Sequence, residues 1–254
     1  LQNREESPEI KLIALDMDGT LLNEKGEVSD GNRKAVKEAI EAGIKVVLST
    51  GRTRLTCRDH ADSLELDSYL VTINGGEIWG PDGSLVERNP VSAELISWMW
   101  DLSKEHKAGF WAVNSEKVFR DEMPEDLLSN EWLKFGFNIE DDAARETVLQ
   151  TLAERGELEI TNSALTNIEV NALGVNKANG IKRVCELLGL TMDQVMAVGD
   201  SLNDISMIRE CGWGVAMGNA QETVKEAADA VTAANTEDGV AAAIRKFALK
   251  KQLS

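Results

Sequence analysis

Apolar residues in this chain fall into short unbroken runs, separated by stretches in which they recur every three or four positions. Residues 12–15, LIAL, are the first run and lead straight into Asp16-Met17-Asp18-Gly19-Thr20. A run without alternation predicts a strand buried on both faces, as at the centre of a parallel sheet. Ser29 is a good N-cap, and residues 30–42 carry Val36, Ala39 and Ile40 at helical spacing, closed by Gly43. Residues 44–48 predict a second buried strand, 53–63 a helix and 69–73 a third strand. This β-α-β-α-β alternation implies a parallel sheet with right-handed crossovers.

The texture changes near Gly80, and five of the six tryptophans fall from Trp79 to Trp132. They predict a small core of their own. Residues 92–106 read as a helix with Leu95, Ile96, Met99 and Leu102 on one face. Residues 108–113 and 117–120 predict a hairpin around Asn114-Ser115, and 123–138 a loop with a short helix. A helix over 141–155 and strands over 157–161 and 166–171 complete this block. The first pattern then resumes: helix 177–188 stopped by Gly189, strand 194–198, a helix to about Cys211 and strand 213–216. Helix 222–228, an edge strand at Ala230-Val231 and a closing helix over 240–251 follow. The expected fold is α/β: a Rossmann-like doubly wound parallel sheet, residues 1–79 and 175–254, with an α+β cap inserted at 80–174.

A chain of 254 residues with 43% hydrophobic content suffices for such a core and its insert. Net charge is 27 − 44 = −17, which argues against nucleic-acid backbone or anionic membrane as a partner. It leaves room for a phosphorylated small molecule, because a metal ion and a few local cations reverse the field inside one cleft. The first ten residues are polar, the run after them is too short for a signal core or membrane span, and a cytoplasmic location is expected. Cys57, Cys185 and Cys211 are far apart and read as buried fillers; His60 and His106 lack companions at metal-ligand spacing.

Polar groups gather at the predicted strand ends: Asp16 with Asp18, Thr50 with Gly51 and Arg52, Asn74, and Asp200 with Ser201, Asn203 and Asp204. Ligands in open α/β sheets bind outside the carboxyl ends of strands, so these groups arrive where chemistry is usually done. Each also has a plain structural role. Asp-Gly makes turns, Thr50 and Asp200 suit helix caps, Asp204 suits a first helical turn, and turn chemistry serves Arg52, Asn74 and Asn203 nearly as well. Lys177 alone would be a solvated lysine.

Their order is what carries weight. DMDGTLL, LSTGR, the later Lys177 and GDSLND, with an α/β insert between the second and third, resemble the haloacid dehalogenase superfamily of phosphatases, and its Cof-type subfamily in particular. Ser201 stands where that family usually has glycine, and Asn176 where serine is common before the lysine. The resemblance implies Asp16 as nucleophile, forming an acyl-phosphate that water hydrolyses, with Asp18 as general acid and base. Thr50 would hydrogen-bond a phosphoryl oxygen, and Lys177 would neutralise another while holding Asp16 and Asp204. Like charges ~4 Å apart repel by roughly 4 kcal/mol at an effective dielectric of 20, so the acids and a phosphate dianion need a hard cation. Mg²⁺ is expected on Asp16, Asp200 and the backbone carbonyl of Asp18, with Asp204 in support.

Sugar phosphates, sugar-alcohol phosphates, a phosphorylated riboflavin precursor and pyridoxal phosphate are the substrates that the resemblance implies. Asn114, Glu169 and Asn171 are the insert residues expected to meet the leaving group. A phosphomutase shares the nucleophile and metal. A non-enzymatic phospho-acceptor or binding scaffold is disfavoured by Asp18, which it would not use, and dehalogenation by the metal and second aspartate it would not need.

Overall fold

The computed structural model describes residues 7–120 and 122–250. The first strand, β1 (Leu12–Leu15), is buried on both sides. Leu12 and Ala14 pack into one apolar cluster, and Ile13 and Leu15 into another on the opposite face of the sheet. The continuous apolar run is explained by this double burial.

Helix α1 (Asp30–Glu41) follows, with the Ser29 hydroxyl accepting from Asn32 N–H. Then come β2 (Lys45–Ser49), α2 (Arg54–Ser63) and β3 (Leu70–Thr72). Two strands that the apolar pattern does not announce extend the sheet: β4 (Glu77–Trp79) and β5 (Leu85–Arg88). Both are short and antiparallel, one on β3 and the other on β4.

The next block holds α3 (Ala93–Glu105), β6 (Gly109–Asn114), β7 (Val118–Arg120), β8 (Trp132–Asn138), α4 (Asp142–Glu154), β9 (Leu158–Thr161) and β10 (Asn167–Ala172). The chain ends with α5 (Lys177–Leu188), β11 (Val195–Gly199), α6 (Ile205–Glu210), β12 (Trp213–Ala216), α7 (Glu222–Ala227), β13 (Ala230–Val231) and α8 (Gly239–Ala243).

The larger sheet runs β13-β12-β11-β1-β2-β3-β4-β5, parallel from β13 to β3. The chain goes from β1 to β2 on one side and reaches β11 on the other side only later, so β1 lies at the switch point. The smaller sheet runs β7-β6-β8-β10-β9 and is antiparallel throughout, backed by α3 and α4.

Three expectations change. Residues 123–138 are not a loop with a helix: β8 is the middle strand of the smaller sheet. Phe135 and Phe137, packed in the apolar cluster under α3 and α4, alternate there with Lys134, Gly136 and Asn138, the period of a strand. Residues 85–88 pair with the larger sheet, so the change of sheet falls after Arg88 and not at Gly80. The closing helix is broken, since α8 passes into a π-helical turn at Ile244–Ala248. Lys251 lies outside the described residues.

Candidate active site

The carboxyl ends of β1, β2, β3 and β11 meet at one edge of the larger sheet. Asp16 continues β1, its N–H bonded to Val198 O at 3.0 Å. Lys177 is the first residue of α5, a helix start fixed by Asn176, whose side chain accepts from Asn179 N–H. Asn caps as well as Ser does, so its presence before the lysine changes nothing. Lys177 is fully buried, and its Nζ donates to Asp16 Oδ1 at 2.5 Å and to Asp204 Oδ1 at 2.6 Å. The other Asp204 oxygen accepts from the N–H groups of Asp200 (2.9 Å) and Ser201 (3.0 Å). Asp200 accepts from Thr20 Oγ1 at 2.7 Å and from Ser201 Oγ at 2.9 Å. Ser201 thus supplies a hydroxyl contact that glycine would lack. Gly19 has φ +81°, and a Cβ there would lie 2.5 Å from Asp200 Oδ2, so glycine serves both the turn and the approach of that acid.

One oxygen from each of Asp16, Asp200 and Asp204 lies within 4.8 Å of the others, all buried. Three carboxylates share one ammonium, 3 − 1 = 2 negative charges in excess, and burying charge is costly unless it is paired. Burial first, then Asp204, hold the Asp16 carboxyl well above the usual range against the pull of Lys177. The same causes push Asp200 up to about 6. Burial opposes the charge on Lys177, but Asp16 and Asp204 outweigh it and raise its pKa. Asp204 takes three protein donors, Lys177 on one oxygen and two backbone N–H groups on the other. Asp200 takes one hydroxyl on each oxygen and Asp16 takes Lys177 on one, which leaves these two the electron pairs that a divalent cation would take.

Asp18 behaves differently from its neighbour. Its side chain is 58% exposed and gripped by Arg52 through two bonds, from Nε at 2.8 Å and from the terminal nitrogen at 2.6 Å. The Thr50 hydroxyl accepts from Arg52 N–H at 3.1 Å and has no acceptor for its own proton among the described residues. Ile73 (φ 53°) and Asn74 (φ 57°) sit in the left-handed region. Such backbone costs about 1–3 kcal/mol per residue and persists only when held in place. Here Ile73 N–H bonds Arg52 O and Asn74 N–H bonds Thr50 O, both at 2.9 Å, which locks the end of β3 to the end of β2.

The smaller sheet covers this edge and encloses a cleft of about 530 Å³. Lys134 Nζ donates to Gly51 O at 2.7 Å and to Glu169 Oε2 at 3.2 Å. Glu169 also accepts from Asn74 Nδ2 (2.6 Å) and Ser163 Oγ (2.6 Å). Burial opposes ionisation of Glu169, but Lys134, Ser163 and Asn74 prevail and lower its pKa. Asn203 Nδ2 closes the chain onto Asn74 Oδ1 at 3.3 Å.

Comparison with known proteins settles the family. The model of haloacid dehalogenase-like hydrolases matches residues 13–128 and 117–244. The chain belongs to this family. The Bacillus subtilis protein named 5-amino-6-(5-phospho-D-ribitylamino)uracil phosphatase YcsE is 58% identical over 244 residues, 96% of this chain and 98% of that one. YitU of the same organism, named for the same activity, is 28% identical over 93% of this chain and 97% of its own. A solved haloacid dehalogenase-like hydrolase from B. subtilis superposes with a TM-score of 0.86 at 26% identity, covering 93% of this chain and 99% of that one. This haloacid dehalogenase-like hydrolase is a phosphatase, a phosphoric monoester hydrolase.

Asp16, Asp18, Thr50, Gly51, Arg52, Asn74, Lys177, Asp200, Ser201, Asn203 and Asp204 come together at the sheet edge. The insert residues part company. Glu169 lines the cleft but is bound to Lys134, Asn74 and Ser163. Asn171 is buried under it, donating to Ile73 O and Leu133 O. Asn114 is not among the cleft-lining residues; its Oδ1 accepts from Glu116 and Lys117 N–H and holds the β6–β7 turn. Sequence reasoning passes over Thr20, Ser163 and Lys134. Strand alternation in 132–138 is the signal that points Lys134 to the same face as Gly136 and Asn138. No helix among the described residues is long and apolar enough to cross a membrane.

Proposed function

We propose that the protein is a Mg²⁺-dependent phosphatase of 5-amino-6-(5-phospho-D-ribitylamino)uracil, a riboflavin precursor, working through an aspartyl-phosphate on Asp16. The substrate rests on the relative of that name, 58% identical over almost the full length of both chains. Asp16 attacks phosphorus with the oxygen that Lys177 does not hold, forming an O–P bond as the ester P–O bond breaks. Asp18 leaves its pair with Arg52, takes up a proton from solvent as the substrate binds, and gives it to the departing alkoxide. It then takes a proton from the water that attacks phosphorus, which frees inorganic phosphate and returns Asp16 as carboxylate. Lys177 and Thr50 bear on the phosphoryl oxygens. The excess of two negative charges among Asp16, Asp200, Asp204 and Lys177 fits a divalent cation. Asp16, Asp200 and the Asp18 carbonyl would hold Mg²⁺, which when bound offsets the charge that a phosphate dianion adds. Of the 80–174 insert, residues 89–174 carry the smaller sheet and act as a cap, joined to the core by two short connections that serve as hinges.

The test measures phosphate release from the ribitylaminouracil phosphate against a panel of phosphorylated metabolites, with and without EDTA. The ribitylaminouracil phosphate should rank first and EDTA should abolish turnover. Asp16→Asn should lose roughly 10⁴-fold or more. Asp18→Asn should lose ~10²–10⁴-fold and, after acid quench, carry a phosphate on Asp16 in the mass spectrum. Full activity in EDTA, phosphate on another residue or a preferred substrate of another class would each overturn its part of the proposal.

A further inference from the structure

The cleft face of the smaller sheet carries a transverse row of paired residues: Arg120, Trp111, Gly136 and Glu169 stand on β7, β6, β8 and β10 as direct cross-strand partners. Glu169 is consumed by its bonds to Lys134, Asn74 and Ser163. Trp111 is not. It is half-buried, lines the cleft, and is the one aromatic residue that does so among the described residues. Gly136 explains its pose: a Cβ there would lie 2.2 Å from both Cε2 and Cζ2 of the indole, so the ring lies down over the glycine, along the sheet. Aromatic rings covering a cross-strand glycine are a known device of sheets. Here the device turns a flat ring face toward a polar cleft. Arg120, at the end of the row, lines the same cleft and has no ion-pair partner among the described residues. Asn138, also on the cleft side of β8, is exposed there with its amide open.

We infer that Trp111 is a specificity residue: its indole stacks on the planar pyrimidinedione ring of the substrate, while Arg120 donates to a ring carbonyl. The inference rests on the proposed substrate and explains what the enzyme reads beyond the phosphate. A polyol phosphate without a ring presents nothing for the indole to stack on. Glu169, fully engaged in the interface, leaves that discrimination to Trp111.

The experiment compares kcat/KM for the ribitylaminouracil phosphate and for ribitol 5-phosphate, which is the same chain without the ring. Wild type, Trp111→Leu and Trp111→Phe are assayed, each checked for an unchanged melting temperature. Base–aromatic stacking predicts that Trp111→Leu loses about tenfold to a hundredfold on the ring-bearing substrate. Ribitol 5-phosphate should change by less than about threefold, and Trp111→Phe should restore most of the preference. The loss should fall on KM more than on kcat, because the stack forms before chemistry. Wild type favouring the ring while Trp111→Leu keeps the same ratio would overturn this inference alone. Equal losses on both substrates would make Trp111 a structural residue, with the same consequence. Wild type that does not turn over the ring-bearing substrate would overturn the substrate proposal and this inference with it.

Discussion

In the larger sheet, the groups of the site leave from strand ends; in the smaller sheet, they stand on strand faces. Asp16, Thr50 and Asn74 each follow the last residues of a strand, where backbone bonds to a neighbouring strand end fix them, and Asp200 follows β11 with its N–H held by Asp204 Oδ2. Lys134, Trp111 and Glu169 stand mid-strand, held by cross-strand pairing and by the opposite domain. The first arrangement makes a crowded, charged, buried cluster that suits one group, a phosphate ester. The second makes a broader floor with one anchored ion pair and one open ring. On the proposed mechanism, chemistry is concentrated where backbone geometry is most constrained, and recognition where side chains are most easily exchanged.

The seam between the two sheets is the most sensitive point. Lys134→Met leaves Glu169 buried without its cation, and breaking a buried pair costs about 3–5 kcal/mol. A fall of that size in urea unfolding, largely recovered in the Lys134→Met/Glu169→Gln double variant, is the expected result. No change in stability would mean that the seam pair does not hold the cap.

Lys177→Met tests the strand-end cluster. Removing one preorganised charge from a phosphoryl site should lower kcat by roughly 10²–10³-fold, and to the same degree for the ribitylaminouracil phosphate and for ribitol 5-phosphate. A substrate-dependent loss would erase the division between the two sheets.

The smallest effect is a pH dependence confined to the core. Asp200 is pushed up to about 6 from an ordinary 3.8, chiefly by burial. Its folded pKa is raised, so its contribution to stability is whole below about pH 4 and is lost as pH rises through about 6. In EDTA, wild type should lose on the order of 2 kcal/mol between these limits relative to Asp200→Asn. Parallel profiles for the two proteins would remove Asp200 as the source. Glu169, with a lowered pKa, has the opposite sign: its contribution is lost only in acid, below the ordinary carboxylate range.

Much of the core was legible because its signals are local. An apolar run names a doubly buried strand, Gly19 names a sharp turn, and Asn176 names the helix start that delivers Lys177. The ordered motifs then brought Asp16, Asp18, Thr50 and Asp200 to one edge. β4 and β5 escaped notice because three or four residues are too few to display a period, and their partners are what make them strands. β8 did display its period, and its aromatic content in a tryptophan-rich stretch concealed it.

The strand-end acids, the helix start that carries Lys177 and the change of texture at the insert can be read directly from the chain, because each depends on residues a few positions apart. Tertiary contact alone settles which insert side chains meet the cleft. Lys134 finds Gly51 across 83 positions, and Asn74 finds Glu169 across 95. It also decided that Asn114 closes a turn, that Glu169 is an anchor and that Trp111 lies open over Gly136. A sheet face acquires its partner only when two domains dock, and no local pattern in either strand records which groups the other domain will consume.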